Sequence, residues 1–77
     1  MTQRHIVGLE MNPDNVAVVL DVLAKSELYA GFEVITFFTV RLMQMRTRMH
    51  LRFGSLVDMD GIRDYLTEKI GDVCVYT

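Results

Sequence analysis

The chain has 77 residues, 51% of them hydrophobic, with eight Lys+Arg against ten Asp+Glu, one proline and a single cysteine. A chain this short is one domain that hides only about 60% of the surface its unfolded form exposes, so an apolar share above that of ordinary domains predicts hydrophobic side chains left at the surface. Cys74 alone excludes an internal disulfide and the distant pair His5 and His50 does not make a structural zinc site, which leaves association with another chain as the way to stabilise so small a domain.

Taken in chain order, His5 to Met11 alternates as a first strand with Val7, Leu9 and Met11 on one face. Asn12-Pro13-Asp14-Asn15 then opens a helix: Asn12 caps free N–H groups, Pro13 presets φ at the first helical position, and Asp14 suits the positive end of the dipole. The helix is expected from about Pro13 to Leu28, with Val16, Val19, Leu20 and Leu23 as its buried stripe. Val18 and Val22 lie off that stripe and are candidates for a surface that meets a partner.

Gly31 ends this region, and Phe32 to Met45, rich in β-branched and aromatic residues, reads as a long second strand. A turn is expected around Gln44 to Thr47. Arg48 to Phe53 alternates strictly, placing Met49, Leu51 and Phe53 on one face and Arg48, His50 and Arg52 on the other. Gly54-Ser55 should break this third strand, because Ser55 and Asp58 have capping-box spacing, so a second helix is expected from Leu56 to Ile70. Its stripe is Met59, Ile62, Leu66 and Ile70, with Tyr65 alongside, and Gly71 stands where a left-handed terminal residue belongs. Asp72 to Tyr76 closes the chain as a short strand. The order is that of an α+β, ferredoxin-like βαββαβ sandwich: a single domain spanning residues 1–77, with a four-stranded antiparallel sheet and both helices on one face. The opposite sheet face would then be open.

No apolar run approaches the ~18 residues of a membrane span and Met1 to Glu10 has no signal-peptide core, so the expectation is a soluble, cytoplasmic, reduced protein that does not engage membranes. The charge is unevenly placed. Residues 41–56 carry Arg41, Arg46, Arg48 and Arg52 and no acid, whereas the segments on either side are each net acidic. With His50, these arginines are the candidate basic surface, for nucleic acid or another phosphate-bearing partner. The competing reading is a solvated strand face, or one paired in charge with a neighbouring chain. It is favoured because the protein is acidic overall and the Arg48-His50-Arg52 face carries no aromatic on which a base would stack, unless Phe37 of the neighbouring strand points outward to supply one. A third possibility is a small acidic inhibitor whose helices imitate a nucleic-acid backbone.

The remaining chemistry-bearing residues read more simply. Cys74 sits in an apolar strand without a Cys-x-x-Cys partner, as a packed thiol would. His50 is read as polar filler before a pH-sensitive group, and Asp58, Asp60 and Asp64 as a wet helix face, since they lack the ligand spacing of a calcium loop. No Ser-His-Asp set, P-loop or dinucleotide glycine motif occurs, so neither an enzyme nor a cofactor or metal is expected. Met43 and Met45 near the turn suit an adaptable partner surface, together with Val18, Val22 and Phe37, while Met49 equally suits the core.

The apolar first strand, Asn12-Pro13-Asp14 opening a helix, Gly31-Phe32-Glu33-Val34 entering the second strand and Gly71-Asp72-Val73 leading into the last together resemble the ACT-type regulatory domain, most closely the short small subunits of acetolactate synthase. The resemblance spans about Ile6 to Val75. It implies a non-catalytic domain that forms homodimers and modulates a partner such as a large catalytic subunit of amino-acid biosynthesis. An amino-acid effector would then sit beside the start of helix one, at Asn12, Pro13, Asp14 and Asn15.

Overall fold

In the computed structural model, which describes residues 2–41 and 43–76, the chain forms β1 (Gln3–Met11), a 3-10 turn (Pro13–Asn15), α1 (Val16–Ala24), β2 (Glu33–Arg41), β3 (Met45–Asp58), α2 (Met59–Lys69) and β4 (Val73–Tyr76). It is a small α+β structure with a four-stranded antiparallel sheet in the order β2-β3-β1-β4. The alternation read from the sequence has direct physical consequences here. Val7 pairs with Leu51 and Leu9 with Met49, Leu9 also faces Val75, and all of these enter one buried cluster with Val19 and Leu23 of α1 and Ile62 and Leu66 of α2. On the other face Gly8 pairs with His50, Glu10 with Arg48 and Ile6 with Arg52. No helix is long and apolar enough to cross a membrane.

Several boundaries differ from expectation. The first helix does not run from Pro13 to Leu28. Asn12 caps it through a 2.9 Å bond from the Asp14 N–H, the first turn is 3-10, and the α-helix ends at Ala24. There the Ser26 hydroxyl accepts the Leu28 N–H at 3.2 Å, a local bond that competes with the helical one. The second strand ends at Arg41, which pairs with Met45, and the chain bends at Met43 and Gln44, so the turn is not at Gln44 to Thr47. Leu42 lies outside the described residues. Thr47 instead pairs with both Met11 and Thr39 inside the sheet.

The third strand is the largest correction, because Gly54-Ser55 does not break it. The chain continues as strand to Asp58, which pairs with Gln3 while Val57 pairs with Arg4, and the buried Val57 side chain holds the extension in place. Helix α2 therefore begins at Met59 and not at Leu56. Asp58 supplies the cap, its Oδ2 accepting the Gly61 N–H at 3.2 Å. At the other end Gly71 has φ of 100°, as its place after the helix predicts. Gly71→Ala is expected to cost about 1–2 kcal/mol of unfolding free energy, the strain of a Cβ in the left-handed region, measured by urea denaturation.

Candidate functional site

The uncovered sheet face is the candidate site, and its residues form ordered rows across the strands. In one row Tyr76, Gly8, His50 and Thr36 are successive partners on β4, β1, β3 and β2. Gly8 makes the row possible: a Cβ there would lie 2.5–2.8 Å from three atoms of the Tyr76 ring, so the ring occupies the space a side chain would take. It meets His50 edge-on, with ring centroids 5.5 Å apart. Thr36 Oγ1 accepts the His50 backbone N–H at 3.1 Å and stands 2.8 Å from His50 Nδ1, so one hydroxyl holds both the backbone and the ring of His50. Burial of Tyr76 raises its phenol pKa, outweighing the lowering by Arg48.

The next row is Cys74, Glu10, Arg48 and Phe38. Arg48 Nε donates to Glu10 Oε1, and the other Glu10 oxygen lies 3.5 Å from Arg46 Nε. Arg46 also donates to both oxygens of Asp72, at 3.0 and 3.3 Å. Farther along the face Arg52 donates to Glu33 at 3.0 Å. Three of the four arginines of the basic segment thus already hold carboxylates. Arg41, at the end of β2, has no carboxylate partner among the described residues. The basic strip visible in the sequence is therefore largely neutralised by acids brought from β1, β2 and the start of β4.

These ion pairs shift the carboxyls they involve. Glu10 is held below the usual carboxylate range, chiefly by the bond from Arg48 and then by Arg46; Asp72 is lowered by Arg46 and by the Asn12 backbone N–H. Both groups titrate lower in the folded than in the unfolded chain. Their contribution is complete above the ordinary carboxylate value near 4 and is lost as the pH falls through the folded values. Urea midpoints are accordingly expected to drop between pH 5 and pH 2, and Arg46→Gln should reduce that drop.

Other expected features are placed differently. Cys74 is not packed but exposed, on the open face. Phe37 does not point to that face: it pairs with Met49, a core residue, and Phe38 pairs with Arg48 in its stead, because one extra residue between Val34 and Thr36 shifts the register. With Phe38 and Tyr76 present, the Arg48-His50-Arg52 face is not free of aromatics. Val22 packs against the core and its carbonyl accepts the Tyr65 hydroxyl at 3.2 Å, which leaves Val18 as the exposed valine of α1. Met43 is fully exposed and Met45 partly so, whereas Met49 is buried.

At the start of the first helix, Asn12 is engaged by the cap and by Asp72, and Asn15 donates to the Asn12 carbonyl at 2.8 Å. An open groove of about 250 Å³ lies elsewhere, between residues 27–31 and 53–57. Tyr76 and Gly8 were missed in the sequence, although a lone glycine inside an alternating strand is itself a signal of close approach. Among the described residues no three His, Cys, Asp or Glu side chains gather as a metal site. Comparison with protein-family models, with curated proteins and with solved structures found no match.

Proposed function

We propose that the chain is a non-catalytic interaction module of ferredoxin-like, ACT-like character that pairs with a second copy and modulates a partner protein in the cytoplasm. The partner class suggested by the resemblance in the sequence is an amino-acid biosynthetic enzyme. One observation carries the self-association: β2 contains Val34, Ile35, Phe37, Phe38 and Val40, yet every residue of the strand is exposed or only half-buried. A strand of this composition normally lies under cover. Sedimentation velocity at micromolar concentration is expected to show a dimer, and a strict monomer would remove the reading. Effector sensing is tested separately by thermal shift with branched-chain amino acids, with a rise in melting temperature expected if the Asn12–Asn15 segment binds one.

A second reading is favoured by the aromatic row. Tyr76 and His50 on the open face, with Phe38 beside Arg48, offer stacking surface next to arginines. Against it stands the engagement of Arg46, Arg48 and Arg52 by carboxylates. Single-stranded oligonucleotide binding at low salt, lost in an Arg48→Ala, Arg52→Ala double variant, would establish this reading; no binding by the unmutated protein would end it.

A further inference from the structure

The groove between residues 27–31 and 53–57 lies at the end of the sheet away from Asn12, since Asp58 pairs with Gln3 at the start of β1. Val57 pairs with Arg4 and Arg52 with Ile6, so residues 53–56 of β3 stand opposite the single residue His5 and bulge out of the ladder. On their other side β2 begins only at Glu33, which pairs with Arg52. The connection from α1 to β2 faces this bulge across two adjoining lobes of about 440 and 250 Å³, the larger of a size that holds a small molecule. Leu28 and Leu56, 76% and 53% exposed, line both lobes.

The polar lining is one-sided. Glu27 and Asp58 contribute carboxylates to the larger lobe, Tyr29, Ser55 and Gln3 contribute oxygens able to accept, and no Lys, Arg or His lines either lobe. Neither Glu27 nor Asp58 is in an ion pair among the described residues. Two groups also lack hydrogen-bond partners, although buried polar groups are normally satisfied. Asp58 gives Oδ2 to the Gly61 N–H, but its Oδ1 is buried with no partner. Tyr29 is only 6% exposed, and its hydroxyl has no partner among the described residues, whereas that of the adjacent Tyr65 is held by the Val22 carbonyl. The two groups converge over Gly61, where a Cβ would sit 3.2 Å from the Tyr29 hydroxyl and 3.4 Å from Asp58 Oδ2. That crowding explains a glycine in the first turn of α2, where it is otherwise unfavourable. Burial and then Asp58 raise the Tyr29 pKa, so the phenol stays protonated and the charge of the groove comes from its carboxylates.

We propose that this groove binds a small aliphatic ammonium ion, its charged head held by Asp58 and Tyr29 and its hydrocarbon body lying between Leu28 and Leu56. An ammonium has three N–H donors and no acceptor, the complement of a lining that offers oxygens and negative charge, and its bonds to a carboxylate are of the stronger, charge-assisted kind. The partial positive charge at the start of α2 is met by Asp58, which caps it, and by Asp60 in its first turn. A free amino acid fits worse, because no cation lines the groove to receive its carboxylate. The site is separate from the Asn12–Asn15 segment and does not depend on self-association.

The test is an NMR titration of the full chain with butylamine hydrochloride across the millimolar range, with butanol and valine as comparisons. Saturable shifts are expected at the amides of residues 27–31 and 53–61 with butylamine, and not with butanol or valine. Asp58→Asn keeps the cap, because asparagine caps a helix as well as aspartate does, yet should weaken butylamine binding about tenfold through loss of the charge-assisted bond. Tyr29→Phe should weaken it about fivefold, the loss of one hydrogen bond. Asp60→Asn, which removes a charge paired with Arg63 outside the groove, should change it less than about twofold, since exposed charges are screened. Equal binding of butanol, unchanged affinity in Asp58→Asn, or no saturable shift in the unmutated chain overturns the site. Calcium chloride producing the same shifts at lower concentration than butylamine overturns the ammonium assignment. Each of these outcomes is independent of the sedimentation result, so failure here and failure of the self-association reading are distinguishable.

Discussion

Leu51→Ala is expected to lower the unfolding free energy by about 3 kcal/mol, within the roughly 2–5 kcal/mol found for truncating a buried leucine. Leu51 has no exposed surface, and it lies on β3, a central strand, opposite Val7 on one side and Val34 on the other. Its removal therefore opens a hole where both neighbouring strands and the helical layer converge, and hydrogen-bonded strands cannot collapse to fill it. At about 0.05–0.15 kcal/mol per residue, a domain of this size has roughly 4–11 kcal/mol in total, so this one change consumes a large part of it. The adjacent Arg52 provides the internal control. Its side chain is on the other face, 55% exposed, in an exposed pair with Glu33, and Arg52→Ala should cost less than about 1 kcal/mol. Urea denaturation of the two variants measures the difference; an Arg52→Ala loss equal to that of Leu51→Ala would contradict the assignment of the faces.

The contrast between two neighbouring residues also shows what the sequence made legible. Strict alternation from Arg48 to Phe53 assigns every side chain to a face because strand geometry has a period of two, and the same logic placed Val7, Leu9 and Met11. Local capping chemistry at Asn12-Pro13 was equally readable, since cap and turn lie within three residues of each other. Boundaries set by distant partners were not. Gly54-Ser55 looks like a break until Gln3 and Arg4 pair with Asp58 and Val57, a contact more than fifty residues away in sequence. The outward position of Phe38 in place of Phe37 depends on a one-residue bulge, which reverses facing for the rest of a strand.

For the candidate site, the basic segment was legible but its neutralisation was not. Glu10, Glu33 and Asp72 are scattered along the sequence, and only the strand order β2-β3-β1-β4 lays them beside Arg48, Arg52 and Arg46. This changes the physical character of the face. A strip of free arginines would project a positive field suited to phosphates, whereas alternating ion pairs leave little net field and hold the strands in register. The same folding leaves part of the apolar surplus of the composition at β2, where neither helix contributes enough cover to bury any residue of the strand. Charge is used within the protomer, whereas the apolar residues of β2 stay exposed or half-buried in the single chain.

That division predicts a stability that depends on protein concentration. If only the folded chain presents the surface proposed for self-association, a second copy acts as a ligand of the native state, and occupancy adds about 2.7 kcal/mol when the protein stands a hundredfold above its dissociation constant. Melting temperature and urea midpoint should therefore rise as the concentration increases from well below to well above that constant, whereas a monomeric domain shows no such rise. A Phe37→Lys variant separates this linkage from the protomer's own folding. Because Phe37 is 56% exposed in the single chain, the substitution removes little intramolecular packing, so the variant should match the unmutated protein at low concentration and fall behind it at high concentration. Equal displacement of the two curves at all concentrations would show instead that Phe37 stabilises the protomer itself, and the surplus apolar surface of β2 would then need a role other than pairing.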